Sequence, residues 1–114
     1  MPLTSGSEYR RMCYAFIEEA LLRPRMYFRD LPELEAILHG HGVAFGQLGL
    51  INREEPFNRS FAAWLRRETG ASAAAGWADA VTQLAEAAGM DTEALFVERV
   101  RAFLREWAAT ASGP

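Results

Sequence analysis

Apolar residues recur along this chain at the three- and four-residue spacing of helices, and no segment shows the two-residue alternation of a half-buried strand. Tyr9, Cys13, Phe16 and Ala20, with Met12 and Ile17 beside them, predict a broad apolar face on a first helix from about Ser7 to Leu22. Ser7 is placed to cap that helix, and Glu8 to meet the positive end of its dipole. Pro24 ends it and pushes Arg23 out of the helical region. A second stripe, Leu34, Ile37, Leu38, His41, Phe45 and Leu48, predicts a helix from about Leu31, with Asp30 as N-cap, Pro32 in the first turn and Gly49 at the end. Gly40 and Gly42 lie inside this run and each weakens it by roughly 1 kcal/mol relative to alanine, which points to a close helix approach or a kink.

Phe57, Phe61, Trp64 and Leu65 stand at i, i+4, i+7 and i+8, and predict a third helix from about Asn58 to Thr69, ended by Gly70. The stretch "ASAAAG" reads either as loop or as the start of the next helix. Trp77, Ala80, Val81, Leu84, Ala85 and Ala88 form a fourth stripe closed by Gly89. Asp91 or Thr92 caps a fifth, which carries Phe96, Val100, Phe103, Leu104 and Trp107. The expectation is an all-α fold: one compact domain of about five helices over residues 1–114, with frayed ends at 1–6 and 110–114.

Composition agrees with a globular domain. Of 114 residues, 50% are hydrophobic and 24% charged, enough for one core and too few for two domains. The net charge of −3 argues against non-specific nucleic-acid binding, which needs a basic surface. All twelve cations are arginine, which fits either the codon usage of a GC-rich genome or a need for planar guanidinium forks. One cysteine makes no internal disulfide, the N-terminus does not read as a secretory signal, and no stretch approaches the roughly 20 apolar residues of a membrane span. A cytoplasmic protein is expected.

Candidate chemistry is sparse. On a helix His39 and His41 diverge by about 200°, so they do not share a metal there, and no other histidine completes a site. His41 is expected on the apolar face and His39 in solvent. Cys13 falls on an apolar face, where a free thiol behaves as a small hydrophobe. The adjacent pairs Glu18–Glu19 and Glu54–Glu55 are not spaced as acid–base pairs. No Gly-rich phosphate loop, nucleophile elbow or triad order appears. The chain therefore reads as a non-enzyme that needs no metal or cofactor.

The least ordinary segment is the corner "RPRMYF" at 23–28. It differs from the "RPGMYIG" corner of the gyrase-type ATPases: Arg25 replaces the glycine, the next helix lacks an asparagine, and there is no Gly-rich lid. With "LPELEAILHGHGVAF" at 31–45, "PFNRSFAAWLRRETG" at 56–70, "GWADAV" at 76–81 and "FVERVRAFLREW" at 96–107, the order resembles a group of small bacterial helical proteins with an Arg-Pro-x-Met-Tyr turn. Some of that group look like immunity-type proteins that neutralise a toxin encoded nearby. The resemblance implies a fold framework rather than a catalytic signature. Physically, the corner is either structural, with Arg23 and Arg25 satisfying carbonyls or carboxylates and Met26 and Tyr27 folding back on the core, or it binds a partner.

The leading expectation is thus a protein-interaction domain, with a toxin domain as one candidate partner. It would bind through Arg23, Arg25, Tyr27, Arg29, Glu54 and Glu55, its acidic charge favouring a basic partner. The alternative is a small-molecule-binding or enzyme-accessory domain with a pocket near Tyr27, His39 and His41. A nucleic-acid surface made of Arg66, Arg67, Arg99, Arg101 and Arg105 ranks last, and leftover apolar faces could drive a homodimer.

Overall fold

The computed structural model describes the backbone of residues 5–49 and 56–112, and the side chains of residues 8–49 and 56–107. Glu54 and Glu55 lie outside the described residues. Six helices follow one another: α1 (Ser5–Leu22), α2 (Pro24–Tyr27), α3 (Leu31–Gln47), α4 (Phe57–Thr69), α5 (Trp77–Ala88) and α6 (Thr92–Ser112). Five match the expected helices. The sixth, α2, is one turn made by the corner itself, because Pro24 both ends α1 and supplies the fixed φ that starts a helix. The first helix begins at Ser5, so Ser7 lies within its first turn and is not the N-cap. At the other end α6 stays helical to Ser112, past Thr110.

Several boundaries follow from named caps. The Asp30 carboxylate accepts from the Glu33 N–H at 3.0 Å, and Asp91, rather than Thr92, accepts from Ala94 N–H at 3.0 Å. Gly70 and Gly89 end α4 and α5 at φ of +77° and +67°, where a side chain would be strained. The "ASAAAG" stretch is loop and turn.

The core is one aromatic-rich cluster. α1 packs along α6, α5 packs on α6, and α4 is set against α3 and α5. Phe57 stacks on Phe61 at 5.4 Å and meets Trp77, Phe103 and Trp107 edge-on; Trp77 stacks on Phe96 at 5.1 Å. The full stripes of α4 and α6 are buried. Four expected core positions are exposed: Leu48, Met26 and Met12, at 71%, 73% and 43%, and Ala88 at the end of α5. Leu48 is the residue after the last turn of α3, and Met26 points out of the one-turn helix that the corner forms.

Two polar links hold the helices in register. The Tyr9 hydroxyl accepts from Phe57 N–H at 2.8 Å, so α1 satisfies the first amide of α4. The Glu35 carboxylate of α3 accepts from Trp77 N–H at 2.7 Å and Ala78 N–H at 3.4 Å, capping α5 from a distance. Asn58 bridges them, donating to Glu35 O and accepting from the Trp77 indole.

Candidate functional site: the arginine face of α4

At the corner, each arginine has an intramolecular carboxylate. Arg23 reaches Glu19 at 3.7 Å and Arg29 reaches Glu33 at 3.3 Å, each within a turn. Arg25 is the long-range link. It pairs with Glu93 of α6, donates to the Arg29 carbonyl and lies over the Phe28 ring at 5.3 Å. Tyr27 is half-buried, edge-on to Phe16 at 5.7 Å, and its hydroxyl donates to Glu19 at 3.3 Å. These contacts make the corner a clasp between α1 and α6: Arg23, Arg25 and Tyr27 sit as the structural reading of the motif expects, whereas Met26 does not fold back on the core. Arg29 remains the most exposed of the set, at 88% of its side chain.

The histidines separate as expected. His41 is half-buried between Phe16 (5.1 Å) and Phe45 (5.5 Å), and burial lowers its pKa below the usual 6.5. Its Nδ1 is buried without a hydrogen-bond partner among the described residues. His39 is exposed and edges a cavity of about 140 Å³ with Gly42, Val43, Pro56 and Asn58. Tyr27 and His41 do not line that cavity; they meet Phe16 instead, so the three side chains proposed for a pocket are not brought together. Burial pushes the Cys13 thiol up to about 12, against a small opposing hydrogen bond with Tyr9, which leaves no thiolate at neutral pH. Among the described residues no three His, Cys, Asp or Glu side chains come together as a metal site.

The residues the structure does bring together lie on α4. Its inner stripe commits Phe57, Phe61, Trp64 and Leu65 to the core. Helical periodicity then turns Arg59, Ala63, Arg66 and Arg67 outward, with Ala62 half-buried beside them. Because the two alanines are short, the helix surface is scooped between its arginines. One hollow, about 370 Å³, is floored by Trp64, Phe103 and Trp107 and edged by Arg10, Arg59, Arg67 and Glu106. The second, about 520 Å³, runs from Arg59 and Arg66 to Gly70 and the loop at Ser72–Ala74. Both include Arg59 and Ala63, so they form one trough along the helix.

The rim of the first hollow is pre-arranged. The Arg10 guanidinium donates to the Trp107 carbonyl at 2.9 Å and sits 5.1 Å from the Trp107 ring centroid. The Trp64 indole donates to Glu106 at 2.9 Å, which fixes the ring at the floor. Neither Arg66 nor Arg67 has an ion-pair partner among the described residues. Four of twelve arginines therefore border the trough, against one acidic residue of fifteen, in a chain whose net charge is negative. Of these, the sequence reading singled out Arg66 and Arg67, and only within a nucleic-acid surface. It missed Arg10 and Arg59. The available signal was the Arg-x₃-Ala-x₂-Arg-Arg pattern at 59–67.

The chain matches no known family model, no curated protein and no solved structure. The chemistry of the trough therefore stands on its own geometry: guanidinium forks for carboxylates, beside an aromatic floor.

Proposed function

We propose that this chain is a non-catalytic helical interaction domain that docks an acidic segment of a partner protein along the arginine face of α4. The observation that carries this reading is the pair Arg66 and Arg67, exposed and without a carboxylate partner among the described residues, at a trough bordered by two further arginines. Planar guanidinium groups bind carboxylates bidentately, and charge complementarity speeds such encounters. A protein fits better than a nucleic acid. Glu68 lies within the same helix and Glu106 at the rim, and a chain of net charge −3 repels a polyphosphate beyond the trough. The non-catalytic part rests on the thiol and imidazole: Cys13 is sealed in the core, and His41 is wedged between phenyl rings.

The Arg-Pro-x-Met-Tyr resemblance suggests a setting, that of an immunity-type protein facing a toxin domain. In that setting the trough would meet an acidic surface of the toxin, whereas the overall negative charge pointed to a basic one. The test uses the chain as bait in its host lysate at low and at moderate salt, beside an Arg66→Glu/Arg67→Glu variant and an Arg29→Ala variant. A stoichiometric partner held by the parent and Arg29→Ala chains but released by the double reversal is expected. A partner indifferent to the double reversal, or none at either salt, would overturn the proposal.

A further inference from the structure

We infer that the aromatic-floored hollow at Arg10 and Trp107 is an anchor pocket for one aromatic side chain of the docked segment, flanked on that segment by carboxylates. This rests on the acidic-segment reading of α4 and adds what the segment must carry at its centre.

The two hollows differ in kind. The one toward Gly70 is walled by arginine, alanine and loop, and offers charge with little apolar depth. The one toward Arg10 has two indoles and a phenyl as its floor, all buried, in a volume of about 370 Å³. Ligand pockets fall in the range of about 300–1,000 Å³, so this hollow is large enough for a ring. Its floor rings already pack on one another: Trp64 edge-on to Phe103 at 5.8 Å, Phe103 stacked on Trp107 at 5.4 Å. A further ring would extend that array at the same 4.5–7 Å spacing. Arg10, held over the Trp107 indole and bonded to its carbonyl, limits the opening on one side, and Arg59 and Arg67 border it too. A side chain entering between them brings its neighbours against three guanidinium groups and the single carboxylate of Glu106, so a carboxylate on either flank is favoured over a cation. From Arg59 to Gly70 the trough follows about 16 Å of helix at 1.5 Å per residue, room for a short segment with a single anchor. Interfaces concentrate affinity in a few buried anchor residues, among which aromatics are enriched.

The test is calorimetric titration of the full chain with three short peptides. One has a central phenylalanine flanked by two glutamates on each side, one has serine at the centre, and one has glutamines for the glutamates. The emission of Trp64 and Trp107 gives a second readout, since the titrants carry no tryptophan. Ala63→Phe fills the hollow from an exposed helix position. The phenylalanine–glutamate peptide is expected to bind at least ten-fold tighter than the serine one and to shift the emission. Ala63→Phe should abolish that advantage, and Arg66→Glu/Arg67→Glu should weaken both acidic peptides. If Ala63→Phe melts early, the peptide comparison on the parent chain decides. Equal binding of the phenylalanine and serine peptides would overturn the anchor and leave the acidic-segment reading standing. No binding by either acidic peptide would overturn both.

Discussion

Glu35 belongs to α3, yet its carboxylate closes the amino end of α5 through Trp77 and Ala78 N–H. A charged acceptor at a helix start satisfies orphan amides and favours the dipole. Glu35→Ala should therefore cost about 1–2 kcal/mol, read as a lower urea midpoint. Gly76, one residue before α5, has φ of +101°, and a Cβ there would run into the Glu35 carboxylate. Gly76→Ala should thus lose the same cap and add backbone strain. Because both variants remove one interaction, their double should fall short of the sum; full additivity would show that Glu35 does not act as the cap. His41 gives a pH signature. Burial lowers its folded pKa below the ordinary 6.5, so the unfolded chain takes up the proton first. Its contribution is fully present above pH 6.5 and is lost as pH falls through the folded value. The melting temperature should drop more steeply on acidification in the parent than in His41→Phe, which also removes the unpartnered Nδ1. Parallel curves would rule out the imidazole as the source.

Along α3, two glycines that look alike in sequence do different things. A Cβ at Gly42 would sit 3.1 Å from the Pro56 side chain, closer than ordinary contact, whereas a Cβ at Gly40 would meet nothing within 4 Å. Gly40→Ala should stabilise the chain by roughly 0.5–1 kcal/mol through helix propensity alone. Gly42→Ala should gain less or destabilise, since Pro56 must give way; chemical denaturation of the two variants checks the contrast, and equal gains would refute it. The sequence could flag that pair, because glycine inside an amphipathic run is visible, but it could not say which one faces a neighbour that lies fourteen residues on. The same limit explains the rest. Helices α3, α4, α5 and α6 were legible because each pairs an apolar stripe with a boundary residue: Asp30 before α3, Gly70 and Gly89 after α4 and α5, and Asp91 before α6. The one-turn helix at the corner was not, because Pro24 breaks and starts helices with equal ease. The trough was hidden for a different reason. It is made by the shortness of Ala62 and Ala63, and by Arg10 meeting Trp107 from 97 residues away. Periodicity says that a face is polar; it does not say that a face is hollow.

At the scale of the molecule, the three indoles are wired into one array. Phe61 touches Trp64 at 6.1 Å and Trp77 at 5.4 Å, and Phe57 touches Trp77 and Trp107 at 6.2 and 5.8 Å. Around them α1 lies along α6, so the first and last helices close the same core. No helix of the described residues holds a separate hydrophobic cluster that would survive alone. Unfolding should therefore be two-state, with tryptophan emission and helical circular dichroism following one denaturant curve. Phe61→Ala tests the point where it is sharpest, because that ring joins α4 to α5 and α6. Its loss should cost about 3–5 kcal/mol and move both signals together by the same amount. If emission moved while ellipticity stayed, the array would be a local packing unit and the helices would hold through contacts elsewhere. The Arg25–Glu93 clasp is too exposed to supply that, since pairs of this kind contribute about 0–1 kcal/mol. Coincident curves would place the stability of the whole chain in the aromatic cluster that also floors the trough, and would tie any anchor residue that perturbs Trp64 or Trp107 directly to the fold.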